Sequence, residues 1–146
     1  MSAVAILSSG PITYCSGYKY QLQSTAKVLT SIRGIIAIIP GFVSLDSDGW
    51  LTVYALYAWD GASHPAIQDK HNMRPSLFHD AGYQLLRETD LNDRYKYDFD
   101  LLYRALCIED GMNVSRAEIE YQAVRVFGVH AASKRPKGLF TAGRIQ

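Results

Sequence analysis

The hydrophobic rhythm of the chain changes once, near Trp59, and that change constrains the fold more than any single motif. Before it, apolar residues come in short β-branched runs, 28–32 and 34–39, closed by Pro40-Gly41. A turn signal, Leu45-Asp46-Ser47-Asp48-Gly49, precedes the run 50–59. Val and Ile fit a pleated surface, and Asp-Gly suits a tight hairpin because glycine takes positive φ at no steric cost. After residue 76 the apolar spacing becomes three and four, the period of an amphipathic helix. Strands followed by helices read as α+β: an N-terminal antiparallel β layer, then a C-terminal half of about three helices, two of them antiparallel.

Several finer expectations follow. Residues 3–7 predict a short strand, broken by Ser8-Ser9-Gly10-Pro11. Residues 14–23 alternate, with Tyr18, Tyr20 and Leu22 on one parity and Lys19, Gln21 and Gln23 on the other, and predict one half-buried strand. The run 50–59 is apolar at almost every position, which predicts a central strand covered on both faces. Residues 60–75 contain Gly61, Pro65 and Pro75 and read as a functional loop. Ser76 can then cap a first helix over 77–87. Leu77, Ala81 and Leu85 share one stripe of it, and His79, Tyr83 and Leu86 a second. Gly82 inside this helix costs about 1 kcal/mol relative to Ala, which a close approach by another backbone would explain.

A second helix spans 97–109, with Phe99, Leu102, Tyr103 and Leu106 inward and Gly111 as its C-cap. Ser115 and Glu118 form a capping-box signature that opens a third helix over 116–127. Its inward residues are predicted to be Ile119, Ala123, Val126 and Phe127, and Gly128 ends it. Residues 1–130 read as a single domain. Residues 131–146, with Lys134, Arg135, Lys137 and Arg144, read as a basic, flexible tail.

A chain of 146 residues can bury one core without staples. Its net charge of +1 supplies no electrostatic drive toward nucleic acid or an anionic membrane. Cys15 and Cys107 are not in a CxxC pattern, so two free thiols are expected and a thiolate zinc site is not. The segment MSAVAILSSG lacks the basic residue of a signal peptide, and the apolar run 35–39 is far too short to span a bilayer. The expectation is a soluble chain made in a cytoplasm.

The polar groups that could do chemistry crowd around the rhythm change. Trp59-Asp60-Gly61-Ala62-Ser63-His64-Pro65 is a tight polar knot, and His79-Asp80 sits inside an apolar helical run with Tyr83 one turn on. An imidazole titrates near neutrality and serves as a general base when a carboxylate fixes its tautomer. Each feature has a plainer reading. His79 can simply brace a neighbouring helix through a carboxylate. Asp60-Gly61 can be a structural turn. Asp98 and Asp100 can be charges that suit a helix N-terminus. His64, His71, His79 and Asp80 could hold a transition metal as in the HD phosphohydrolases, but those are all-helical and the first half here is strand-like.

From about residue 49 to residue 128 the chain resembles a family common in bacteriophages and prophages, the domain of unknown function 1353. The resemblance rests on Tyr57-Ala58-Trp59-Asp60-Gly61-Ala62-Ser63 and on Met73-Arg74-Pro75-Ser76-Leu77-Phe78-His79-Asp80-Ala81-Gly82-Tyr83-Gln84-Leu85. Asp100 with Tyr103 and Gly111, and Tyr121-Gln122-Ala123-Val124-Arg125-Val126-Phe127-Gly128, complete it. It implies a phage origin, not an activity. Gly82 departs from the larger residue the family often carries there.

His79-Asp80-x-x-Tyr83, followed by Asp100 on the next helix, is similar to the core of secreted and parvoviral phospholipases A2. That likeness implies His79 as general base and Asp80 as a ligand of Ca²⁺. It implies Asp100, with Asp98 as the fallback, as the carboxylate that orients His79, with Tyr83 supporting it. The glycine-rich calcium loop of those enzymes is absent, and Asp60 with its loop carbonyls is the substitute we expect. The leading expectation is therefore a phage-encoded accessory protein with a phospholipase A2-like His/Asp site. It would be a Ca²⁺-dependent lipid esterase acting on phospholipid in entry or lysis, in the host cytoplasm or the virion. The alternative is a non-enzymatic tail- or capsid-associated or host-interaction protein, partnered by other virion or host proteins, in which the His-Asp motif is structural.

Overall fold

A computed structural model describes residues 5–15, 20–62 and 68–134. The N-terminal half forms two antiparallel sheets. In the first, β1 (Tyr14–Cys15) pairs with β2 (Tyr20–Leu22), and β2 with β7 (Ala58–Trp59). In the second, the order is β3 (Ala26–Leu29), β6 (Trp50–Val53), β5 (Val43–Leu45), β4 (Ala37–Ile39). The helical half follows: α1 (Met73–Glu88), a 3-10 turn at Asp93–Tyr95, α2 (Lys96–Glu109), α3 (Val114–Phe127) and the short α4 (Val129–Ala132). The fold is α+β, as the change of rhythm predicts.

Asp46-Ser47-Asp48-Gly49 makes the β5–β6 hairpin as expected. Gly49 has φ +96°, and the Asp46 carboxylate accepts from the amides of Asp48 and Trp50. Other strand expectations need correction. Residues 14–23 form two paired strands, not one. Residues 5–7 are not a strand; only Ser8 bridges to Val28. The run 50–59 breaks into β6 and β7, which belong to different sheets. Leu56 marks the break with φ +77°, a left-handed conformation that no strand accommodates. β6 is central, as expected, but it is covered on one face only: Leu51 and Val53 are buried while Trp50 and Thr52 are half-buried.

The buried face of this sheet meets α1. Val28, Val43, Leu45, Leu51 and Val53 share one core with Leu77, Phe78, Ala81, Leu85 and Leu86. Each such side chain contributes about 1.5–3 kcal/mol by leaving water. α1 starts at Met73, earlier than its predicted start at 77, because Pro75 occupies the first turn, where a missing N–H costs nothing. Ser76 is therefore not an N-cap. It lies buried inside the first turn, accepting from Trp59 Nε1 at 2.9 Å and donating to Met73 O at 2.7 Å, and so ties β7 to α1.

α1 and α2 run antiparallel. Arg74 at the start of α1 bonds Asp110 just past the end of α2, while Gly82 abuts Phe99 near the start of α2. The close approach at Gly82 is made by that ring, not by a backbone. α3 begins two residues before its predicted start, with Asn113 as N-cap accepting from Ser115 N and Arg116 N. Gly111, with φ +97°, closes α2 as expected. Residues 135–146 of the expected tail lie outside the described residues, while Lys134, near its start, is held by α1 and the turn that follows it. Its ammonium donates to the carbonyls of Leu86, Thr89 and Leu91 and so caps the end of α1.

Candidate active site

Three of the predicted site residues, His79, Tyr83 and Asp100, converge where α1, α2 and α3 meet. His79 and Tyr83 are one turn apart on α1 and face α2 together. His79 Nε2 lies 2.7 Å from Asp100 Oδ1, and Tyr83 Oη donates to the same oxygen at 2.5 Å. The other carboxylate oxygen, Oδ2, accepts from Lys96 Nζ and Arg125 Nη1, both at 2.8 Å. Lys96 is one helical turn before Asp100 on α2, and Arg125 comes from the last turn of α3. Asp100 is wholly buried, so one carboxylate joins three helices.

The charges around Asp100 decide its state. Burial, the largest influence, pushes its carboxyl pKa up. The His79 hydrogen bond and charge, with the hydrogen bonds from Lys96 and Tyr83, outweigh burial and hold it at about 2. Asp100 is thus an anion at any ordinary pH. Burial and the neighbouring Asp100 together raise the Tyr83 phenol well above its ordinary value, so Tyr83 remains a donor.

The His79 side chain is 9% exposed, with its ring against those of Tyr83 and Tyr103 at centroid distances of 4.1 and 5.1 Å. Every fully buried side-chain nitrogen and oxygen among the described residues has a hydrogen-bond partner. Nδ1 has no described hydrogen bond and is not fully buried.

Space for the Tyr83 hydroxyl comes from Gly128, where a Cβ would collide with it. Gly128 is also the C-cap of α3, as expected, at an ordinary φ of −79°.

The carboxylates expected to hold a metal are placed differently. Asp80 is half-buried, a third of a turn round α1, where its charge acts on Tyr57 and Tyr83. Asp60 is exposed at the end of β7. The rest of that loop, 63–67 with His64, lies outside the described residues. Among the described residues no group of three or more His, Cys, Asp or Glu gathers as metal ligands. Two carboxylates fall short of the six to eight oxygens that Ca²⁺ takes, so the described residues do not fit the ion. Asp98 is excluded as the partner of His79, because it accepts from Ser31 Oγ at 2.8 Å on the sheet side.

Residues that pattern reading missed complete the polar interior. Arg74, nearly buried, bonds Asp110 at 2.6 and 3.1 Å, Glu109 at 2.7 Å and Ser8 at 3.2 Å. Glu120 is buried on α3 and accepts from Tyr103 Oη at 2.7 Å, Arg116 Nε at 2.9 Å and Asn72 Nδ2 at 3.4 Å. Cys107 beside it is buried, and burial first, then the Glu120 charge, pushes its thiol pKa up, so it is unreactive at neutral pH. Two of these contacts had a readable signal, the i,i+4 spacings of Lys96 to Asp100 and of Arg116 to Glu120. No protein-family model, no curated protein and no solved structure matches the chain.

Proposed function

We propose that this protein is a phage-encoded accessory hydrolase whose His79–Asp100 pair works in the manner of phospholipase A2. The single observation that carries the reading is the convergence of Nε2, Oδ1 and the Tyr83 hydroxyl, with Nδ1 left without a described hydrogen bond. The phage origin rests on the sequence resemblance alone. With Nε2–H donating to a permanently ionised Asp100, the lone pair sits on Nδ1. A water there loses its proton to Nδ1 as its oxygen bonds to the ester carbonyl carbon. The same proton then passes to the departing alcohol as the ester C–O bond breaks.

The second reading, a non-enzymatic virion or host-interaction protein, is favoured by Lys96 and Arg125. An orienting carboxylate needs neither, whereas a device for locking three helices uses both.

Fatty-acid release from phospholipid vesicles, with and without Ca²⁺, separates the two. The hydrolase reading expects release by the wild type and a loss of about 10²-fold or more in His79→Ala, with circular dichroism unchanged. Release that survives the substitution removes His79 as the base. A folded wild type that is silent on several lipids leaves the structural reading.

A further inference from the structure

The two edges of the four-stranded sheet are treated differently. On the β3 edge, residues 7–9 lie alongside: Ser9 N donates to Lys27 O at 2.9 Å, Leu29 N to Leu7 O at 2.8 Å, and Ser8 bridges to Val28. On the β4 edge nothing comparable exists among the described residues, where Ala37–Ile39 pair with β5 alone. An unpaired edge is a template for another strand, and proteins that must stay apart blunt it with Lys, Pro within the strand or a bulge. Here β4 is short, at three residues, but it carries none of these devices. Residues 34–45 contain no charged side chain, and Pro40 lies in the turn rather than the strand. Ile36, Ile38 and Phe42 are 63%, 55% and 53% exposed beside this edge.

We propose that β4 is an interaction surface whose occupant is β4 of a second copy of this chain, paired antiparallel about a two-fold axis. An isologous contact brings each residue against its own kind or near it, so it tolerates no charge that would face itself. The charge-free stretch meets that condition, and Ile36, Ile38 and Phe42 add apolar contact where the outer sheet faces become continuous. The exposed apolar residues of α3 are a poorer self-docking face. Ile119 and Val126 flank Gln122, and Glu118 lies close by, bonded to Arg104 and to Gln122.

Sedimentation velocity across a wide range of concentration tests this. The wild type is expected to pass from 16.3 kDa to twice that mass as concentration rises. Ile38→Lys, at an exposed position, sets two lysines near each other across the axis and should weaken association about tenfold or more. Ile119→Lys should leave association unchanged, and amide exchange at residues 37–39 should slow in the dimer. A wild type that stays monomeric throughout overturns the proposal. So does a dimer indifferent to Ile38→Lys, or one abolished by Ile119→Lys, which would move the interface to α3.

Discussion

On the sheet side of α1, Leu77, Ala81, Leu85 and Leu86 meet Val28, Val43, Leu51 and Val53 in an aliphatic core. On the other side of the same helix, Arg74, His79 and Tyr83 meet Asp110, Glu109 and Asp100 through hydrogen bonds and ion pairs. Both contacts are buried, yet they specify structure in different ways. Aliphatic packing is non-directional and depends on volume, so neighbours can adjust to a changed shape. The Asp100 cluster depends on count. Four donors from three helices converge on two oxygens, and removal of the acceptor leaves ammonium and guanidinium charges with nothing to balance them. The charged side of α1 is therefore intolerant of losing one partner, whereas the aliphatic side tolerates exchanges that conserve volume.

Substitutions that conserve volume expose this difference most sharply. Asp100→Asn keeps the shape and removes the charge, and is expected to cost about 3–5 kcal/mol in urea unfolding, the range for breaking a buried ion pair. Leu51→Met, at an equally buried position in β6, is expected to cost less than about 1.5 kcal/mol. If the two cost the same, the contrast between the sides of α1 is lost.

Acid gives the next largest effect. The Asp100 carboxyl sits at about 2 in the folded protein against 3.8 when unconstrained. A depressed carboxylate stabilises the fold above its unfolded value, and that contribution is lost as pH falls toward its folded value. The difference corresponds to about 2 kcal/mol. Between pH of about 4 and about 2 the stability gap between wild type and Asp100→Asn should narrow by roughly that amount. A gap constant through that window would mean that Asp100 is not held ionised by its neighbours.

These two sides of α1 were not equally legible in the sequence. The aliphatic stripe was, because Leu77, Ala81 and Leu85 follow a local period that needs no knowledge of partners. The pairing of His79 and Tyr83 was legible for the same reason, as were the Asp48-Gly49 hairpin and nearly all of α2. The charged side was only half legible. Arg74 and Arg125 look like solvent-facing residues until their partners on other helices are known, and the i,i+4 pairs Lys96–Asp100 and Arg116–Glu120 reveal a partner but not the burial. Glu120 also misled the reading of α3. Pattern reading turned Ile119 and Val126 inward, but they are 70% and 67% exposed. The buried face instead carries Ala117, Glu120 and Tyr121, because Tyr103, Asn72 and Arg116 satisfy the carboxylate there. The side chain of Phe127 lies outside the described residues. The break at Leu56 was hidden too, since a leucine carries no turn signal.

Gly82 lies between the two sides of α1, and its substitution sets a local preference against a tertiary one. Alanine at a helix interior gains about 1 kcal/mol over glycine. Here the added Cβ would sit 2.5 Å from Phe99 Cδ1 and 2.6 Å from Cγ, with the ring itself fully buried. A ring so enclosed cannot swing aside without moving α2, and α2 carries Asp100. Overpacking of this kind costs about 1–3 kcal/mol, so Gly82→Ala should be destabilising by about 1 kcal/mol net. The double variant Gly82→Ala with Phe99→Leu makes room for the methyl group but removes ring contacts. It should cost less than the sum of the two single substitutions, as expected when two side chains compete for one space. Strict additivity would show that Phe99 is not what requires glycine at this position.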